Sequence, residues 1–327
     1  MKIGILSCAH MHAESYVHAL KEFKNVQIVG IADEREIEGK NFAQRNSIAY
    51  YKNYKKFLLE EEMDTVIICS ENAKHAEMAV YAAKLKKHVI VEKPIATTIE
   101  DAKKMIEECK KNDVKLMVTF PVRYEPSVAR TKEIIDSGKI GEVAAINATN
   151  HGSMPGGWFI DKSLSGGGCM IDHTVHVLDL INWMFRTNIK EVFAKKATLF
   201  NDIPVEDAGL LSMEFENGLY ATLDTSWSRP KSYPTWGDVT MEIVGTKGAV
   251  NLDAFAQHGE LYSNNLNQSQ YVHWGDDMNY LMIKDFIKCI EEDKPSPVTG
   301  EDGLYTLQVA LMAYESAEKN EVVGARV

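Results

Sequence analysis

The chain has 327 residues, of which 45% are hydrophobic, and its formal net charge is −11. This length predicts about two domains of ordinary size. The negative charge argues against nucleic acid or an anionic membrane surface as a partner, because both require clustered Lys and Arg. No apolar run approaches the roughly 20 residues that cross a bilayer, and the N-terminal run is typical of a buried strand rather than a secretory leader. We therefore expect a cytoplasmic protein.

The cysteines argue against a disulfide framework and against a structural zinc site. Their number is odd, their spacings are wide and no CxxC pair occurs. We expect most of them to be small buried hydrophobic residues: Cys8, Cys69, Cys109, Cys169 and Cys289.

Apolar runs and helical spacing alternate along the first 120 residues. Strands are predicted at residues 2–6, 26–32, 64–69, 88–91 and 115–120, and helices at 12–23, 36–45, 55–61, 73–85 and 98–111. Such alternation is typical of βαβ units and a doubly wound parallel sheet. The apolar runs are continuous, as expected of strands covered by helices on both faces. We predict an α/β protein with an N-terminal dinucleotide-binding domain of the Rossmann type over residues 1–120.

The pattern changes after Pro121. Strands are predicted at residues 143–150, 189–199, 209–216, 219–227, 238–244 and 249–252, and helices at 127–137, 170–185, 278–292 and 303–319. Turn residues separate neighbouring strands, which indicates an open, mostly antiparallel sheet. We predict a C-terminal α+β domain over residues 121–327 for substrate binding and oligomerisation.

The turn after the first strand is unusual for a dinucleotide site. That strand ends at Leu6, where such folds place a glycine-rich turn, but here the next residues lack glycine. Their small members still allow a pyrophosphate to approach the N-terminus of the following helix. We predict cofactor contacts from Ser7, Cys8, Ala9, His10, Met11 and His12.

The second strand favours NAD over NADP. It ends at Ala32, and the following Asp33 and Glu34 are acidic. A carboxylate here accepts hydrogen bonds from the adenosine ribose and repels a 2′-phosphate. Arg35 weakens this argument, because a nearby Arg can hold that phosphate. The alternative is that Asp33 is an ordinary turn residue.

Residues 64–95 carry a specific motif and read DTVIICSENAKHAEMAVYAAKLKKHVIVEKPI. Its characteristic residues are Asn72, His75, His88, Glu92, Lys93 and Pro94. With these residues the segment resembles the glucose–fructose oxidoreductase, inositol dehydrogenase and rhizopine-catabolism (Gfo/Idh/MocA) family. Ser70 and Glu71 replace the usual Thr-Pro pair.

Two later segments extend the resemblance over essentially the whole chain. VTFPVRYEP matches at Arg123, Tyr124 and Pro126, with Pro121 in place of the usual Asn. SGGGCMIDHTVHVLDLINWM matches at Gly166, Gly167, Gly168, Asp172, His176 and Asp179, with Thr174 in place of a common glycine. The resemblance implies an NAD-dependent dehydrogenase or reductase of a sugar, inositol or related polyol, forming a homodimer or homotetramer.

The chemistry of alcohol oxidation explains three of the matching residues. The nicotinamide takes a hydride, so the protein must take a proton. Asp172 and His176 are four apart on a predicted helix and share a face, and histidine titrates in the range suited to a general base. Lys93 follows a strand end, where its ammonium stabilises a developing alkoxide. We predict that Lys93, Asp172 and His176 are the catalytic residues.

Further binding residues are predicted around this centre. The additional cofactor residues are Cys69, Ser70, Asn72, His75, Glu92, Lys93 and Pro121. The substrate residues are Lys93, Arg123, Tyr124, His151, Trp158, Asp172, His173, His176 and Tyr233, with Trp236 as a further aromatic candidate. For the polar and aromatic candidates outside the catalytic group, packing in the core or on a sheet face is the alternative.

We predict no metal site, because the histidine spacing matches no metal motif. A less favoured alternative is a metal held by His10, His12 and His75 with Asp172, His173 and His176. Three functional alternatives remain beside the dehydrogenase. They are a nucleotide-binding sensor without turnover, a redox-assisted glycosidase, and a dihydrodiol dehydrogenase or imine reductase, since one fold hosts several chemistries.

Overall fold

The structure is a computed structural model that describes residues 1–233, 235–275 and 277–325. The chain divides into two compact units. The first unit comprises Met1–Phe120, Ser163–Gly166 and Asn279–Leu307. The second comprises Pro121–Lys162, Gly167–Met278 and Gln308–Val327, of which the described residues are considered below.

The first unit is built from six short strands and the helices between them. The strands are β1 (Lys2–Leu6), β2 (Gln27–Ala32), β3 (Tyr50–Tyr51), β4 (Thr65–Ile68), β5 (His88–Val91) and β6 (Leu116–Val118). The helices are α1 (His12–Lys21), α2 (Glu36–Asn46), α3 (Tyr54–Glu60), α4 (His75–Lys84) and α5 (Ile99–Lys111). Apart from β3, each lies within a few residues of its predicted position.

These strands form one parallel sheet in the order β3-β2-β1-β4-β5-β6. The predicted doubly wound sheet is therefore confirmed. Ile3, Ile67 and Val91 are fully buried, as expected of central strands covered on both faces. Because the strands are parallel, the segments after β1, β2, β4 and β5 emerge at the same edge of the sheet.

The chain after residue 120 supplies a second set of elements. Its strands are β7 (Val143–His151), β8 (Ile189–Ala197), β9 (Ala208–Phe215), β10 (Tyr220–Ser226), β11 (Thr240–Gly245), β12 (Gly248–Asp253), β13 (His258–Ser263), β14 (Gln268–His273) and β15 (Val323–Gly324). Its helices are α6 (Pro126–Asp136), α7 (Lys162–Ser165), α8 (Cys169–Phe185), α9 (Met278–Glu291) and α10 (Gly300–Lys319).

Seven strands of the second unit form a sheet in the order β12-β11-β7-β10-β9-β8-β15. Only the β7–β10 pair in this sheet is parallel, so the predicted open, mostly antiparallel sheet is confirmed. Helix α8 packs on β7, β9 and β10, and its side chains are buried almost throughout. The opposite face exposes large apolar side chains, including Leu210 and Tyr220.

Several features differ from the predictions. The predicted segments 1–120 and 121–327 place Asn279–Leu307 with the C-terminal domain, whereas this stretch belongs to the first unit. There the Tyr280 ring stacks on Phe23 at 4.6 Å, a long-range contact that local patterning cannot show. The hairpin of β13 and β14 was not predicted either.

Among the described residues, no helix is long and apolar enough to cross a membrane.

Candidate active site

The turn after β1 adopts the backbone conformation that glycine favours, although Ser7 occupies it. Ser7 has a φ of 68°, in the left-handed region. Its side-chain oxygen donates to Asp33 Oδ2 at 3.0 Å and accepts the Ala9 amide at 3.1 Å. The Cys8 amide donates to the same Asp33 oxygen at 2.8 Å. The turn is therefore held by side-chain bonds to the end of β2.

Asp33 is also tightly paired with Arg35. The guanidinium donates to both carboxylate oxygens, through Nη2 at 2.7 Å and through Nε at 3.1 Å. Burial opposes the charge of Asp33, but the Arg35 pair and the Cys8 amide hold its pKa below the ordinary value. Asp33 is consequently an ionised acceptor at the end of β2. Arg35, which the sequence suggested as a phosphate ligand, is engaged with that carboxylate.

The segment of predicted cofactor residues after β4 is hydrogen-bonded to the turn after β1. The Cys69 carbonyl accepts the His10 amide at 2.9 Å. The Asn72 side chain donates to the Ser165 carbonyl at 2.8 Å, and Ser70 is fully buried. These bonds attach the segment after β4 both to the turn after β1 and to Ser165 of the same unit.

His75 joins the segments after β4 and β5. Its ring is fully buried, with Nδ1 3.0 Å from the Pro94 carbonyl and Nε2 3.2 Å from the Ser70 carbonyl. Burial lowers the pKa of His75. His75 thus holds the backbone that follows Lys93.

Glu92 lies at the centre of a buried polar cluster. Its Oε1 is 3.0 Å from His12 Nδ1 and 3.9 Å from His10 Nδ1, and it accepts a short hydrogen bond from Tyr16. Burial opposes its charge, but the two histidines and the Tyr16 hydroxyl hold the pKa of Glu92 well below its usual range. Its close partners are the two histidines, which were predicted only as cofactor contacts, and Tyr16, which sequence reasoning missed.

Lys93, the predicted catalytic lysine, directly follows Glu92 in the chain. Its side chain is 3% exposed, and its backbone amide donates to Glu92 Oε2 at 3.1 Å. The Lys93–Pro94 peptide bond is cis. Met11 and Glu34 are exposed, at the start of α1 and the end of β2 respectively.

Asp172 and His176 lie one turn apart on α8 and are 6% and 7% exposed. Trp227 donates its indole N–H to Asp172 Oδ2 at 3.2 Å. His173 lies 3.3 Å from that oxygen through Nε2, and its Nδ1 is 2.8 Å from the Asn150 carbonyl. The predicted pair therefore shares a helix face, and a fixed network holds the carboxylate.

The start of α8 has a partner far away in the sequence. Glu206 Oε1 accepts the Gly168 amide at 2.8 Å and the Met170 amide at 3.2 Å, and it also accepts a short hydrogen bond from Tyr314. A carboxylate is favourable at a helix N-terminus. The segment Gly167–Gly168 fits against Tyr314 and Glu206 only without a Cβ atom. Sequence reasoning missed Glu206, Tyr314 and Trp227, because nothing local marks them.

Most predicted substrate residues have protein partners. Arg123 is 7% exposed and forms a two-point ion pair with Asp179 at 2.5 and 2.9 Å. Trp158 stacks on Phe159 at 3.9 Å between ring centres. Tyr233 packs under the Arg229 guanidinium at 4.2 Å. Pro121 and Tyr124 are the first and last residues of one short 3-10 helix. Trp236 contacts the edge of His173 at 5.2 Å.

His151 lies between two carboxylates. Its Nδ1 is 3.0 Å from Asp238 and its Nε2 is 3.3 Å from Asp224. Hydrogen bonds and charge from these two groups raise the pKa of His151 to about 9. Arg229 shares Asp238 with it. His151 is consequently a cation inside a protein network.

Comparison with protein families matches both parts of the chain. Residues 1–120 match an oxidoreductase family with an NAD-binding Rossmann fold. Residues 128–251 match the GFO/IDH/MocA C-terminal domain.

Relatives of similar length support these matches. A myo-inositol 2-dehydrogenase of Thermotoga maritima is 27% identical, over 99% of this chain and 98% of the relative. An NAD-dependent scyllo-inositol 2-dehydrogenase of Bacillus subtilis is 25% identical, over 96% and 92% respectively. The crystal structure of GenD2 from gentamicin A biosynthesis, in complex with NAD, superposes with a TM-score of 0.92 at 23% identity. That superposition covers 100% of this chain and 97% of the other.

Proposed function

Because this chain belongs to the Gfo/Idh/MocA oxidoreductase family, we propose that it transfers a hydride between NAD and a hydroxyl or carbonyl carbon of a sugar, inositol or related polyol. The chain is an NAD-binding oxidoreductase, as the resemblance predicted. The choice of a polyol substrate is supported by the two inositol dehydrogenases among its relatives.

The observation that most supports this proposal is the buried face of α8. Asp172 is fixed there by Trp227, one turn before His176. In our proposal His176 takes the hydroxyl proton as general base, and Asp172 orients the reacting hydroxyl. Lys93 donates to the same oxygen and stabilises its developing negative charge. His173 and Arg123 act as positioning residues, since both are buried against protein carboxylates.

The residues proposed to contact the cofactor suit NAD, and all but Pro121 belong to the first unit. When NAD is bound, it accepts or donates the hydride. Asp33 is buried and ionised at the end of β2, as an acceptor for ribose hydroxyls must be. The backbone at Ser7 has the turn conformation of a glycine-containing site. We propose cofactor contacts from Ser7, Cys8, Ala9, His10, Met11, His12, Asp33, Glu34, Cys69, Ser70, Asn72, His75, Glu92, Lys93 and Pro121.

The substrate contacts stay a proposal. Beside the three catalytic residues, we propose that Tyr124, His151, Trp158 and Tyr233 surround the polyol. A homodimer or homotetramer and a cytoplasmic location are likewise proposals.

The substrate is found by screening sugars and inositols with NAD and recording the nicotinamide absorbance band. With the best substrate, we expect Lys93→Met and His176→Ala each to lower kcat about 10²–10⁴-fold, the usual contribution of general acid–base catalysis. Fluorescence titration is expected to give the wild-type NADH affinity for His176→Ala, and a reduced affinity for Lys93→Met only to the extent that Lys93 also contacts the cofactor. The exposed Lys104 and His18 provide matched controls, Lys104→Met and His18→Ala.

Turnover that survives in both variants would contradict the proton-transfer roles. Failure of the wild-type protein to bind NADH would contradict the dehydrogenase proposal as a whole. NADH binding without turnover of any tested polyol would favour a sensor.

A further inference from the structure

Three side chains from two segments of the first unit converge beside the start of α1. His10 and His12 flank Met11 in the chain, whereas Glu92 follows β5. The bond from the His10 amide to the Cys69 carbonyl draws the turn toward the end of β4. Since β4 pairs with β5, this also brings both imidazoles to Glu92.

The donor atoms of the three residues are close enough to share one ion. One ligand atom from each residue lies within 4.8 Å of the others. The two imidazole rings are 4.3 Å apart, edge to face. A set of two histidines and one carboxylate suits Zn²⁺ and related divalent transition ions.

Burial and charge favour a metal ion at this position. Glu92 is 0% exposed, and a buried carboxylate needs a compensating positive charge. A divalent ion bound by Glu92 and the two imidazoles would supply that charge.

The surroundings resemble the second layer of a metal site. The Tyr16 hydroxyl and the Lys93 amide donate to the two Glu92 oxygens. Such bonds orient ligands. The His12 side chain is 29% exposed. Solvent therefore reaches one side of the cluster, where a fourth ligand has access.

We propose that His10, His12 and Glu92 bind one divalent transition-metal ion of the zinc class, with an open coordination position. The sequence did not predict this site, because Glu92 is about 80 positions after the two histidines in the chain and no local spacing connects them. His75, part of the alternative set considered from the sequence, contacts two backbone carbonyls instead.

The test is zinc binding by the full-length protein after treatment with a chelator. Calorimetric titration with Zn²⁺, and metal analysis after gel filtration, are expected to give one ion per chain. His12→Ala and Glu92→Gln are each expected to lower the zinc affinity at least tenfold, with circular dichroism as the check on folding. His18→Ala, in the same helix but exposed, is expected to retain the wild-type affinity.

Absence of zinc binding by the wild-type protein, or unchanged affinity in a folded His12→Ala variant, would overturn this proposal. NADH titration of the metal-free protein separates it from the proposed function. Zinc binding that is lost in His12→Ala would support the metal site even if neither the metal-free nor the zinc-loaded protein bound NADH.

Discussion

At the scale of single residues, Ser7 shows how a cofactor turn forms without glycine. The left-handed conformation costs a non-glycine residue roughly 1–2 kcal/mol. The Ser7 hydroxyl offsets part of this cost through its bonds with Asp33 and the Ala9 amide. Ser7 therefore combines an unfavourable backbone conformation with favourable side-chain hydrogen bonds.

Two substitutions at this position separate the contributions. Ser7→Gly loses the hydroxyl bonds but relieves the backbone, whereas Ser7→Ala loses the bonds and retains the strain. We expect the glycine variant to be more stable than the alanine variant by about 1–2 kcal/mol in free energy of unfolding. Chemical denaturation followed by far-ultraviolet circular dichroism measures the difference. Equal stability of the two variants would mean that the turn relaxes to another conformation.

At the scale of elements, the start of α8 determines where Asp172 lies. The first amides of a helix lack partners within the helix. Here Glu206 accepts two of the amides near the helix start, and it is held by Tyr314. The position of α8 thus depends on a residue 34 positions after Asp172 in the chain.

Replacement of Glu206 by glutamine keeps the shape and removes the charge. Bonds to charged groups contribute more than neutral ones, so we expect a loss of about 1–2 kcal/mol in the free energy of unfolding. Denaturation followed by tryptophan fluorescence measures it. Glu242→Gln, at an exposed position of β11, is the control and should change stability by less than about 0.5 kcal/mol. Equal effects of both substitutions would contradict the role of Glu206.

At the scale of the whole molecule, the two units have separate spectroscopic probes. All five tryptophans belong to the second unit. Their fluorescence therefore follows the unfolding of that unit. The His151 network lies in the same unit, on the sheet strands β7 and β10 and on Asp238.

The stability of the second unit should depend on pH through His151. Its folded pKa of about 9 exceeds the unfolded value of roughly 6.5. The stabilisation is therefore complete below about pH 6.5 and is lost as pH rises through 9. We expect His151→Gln to lower the free energy of unfolding by about 1.5–3 kcal/mol at pH 6. The difference from wild type should be much smaller at pH 10.

Tryptophan fluorescence during urea unfolding at both pH values measures this dependence. His18→Gln, an exposed histidine of the first unit, is the control. A difference between wild type and His151→Gln that stays constant from pH 6 to pH 10 would exclude the charged network as its source.

Most strands and helices followed from local pattern. Continuous apolar runs predicted β1, β4 and β5 within one residue at each end, because central strands buried on both faces are apolar along their whole length. Thr98 was recognised as the start of α5, and its hydroxyl accepts the Asp101 amide at 3.1 Å. The hairpin of β13 and β14 escaped prediction because its residues are largely exposed and lack a clear alternation.

The sequence by itself determined the family, the parallel and antiparallel sheets, NAD as cofactor, and the shared helix face of Asp172 and His176. These properties depend on local periodicity and on short motifs. Only the tertiary structure decided that Glu206 caps α8 and that Glu92 meets His10 and His12. Both contacts join residues that are far apart in the sequence and adjacent in space because of strand order or helix packing. Strand order and packing cannot be derived from the spacing of residues along the chain.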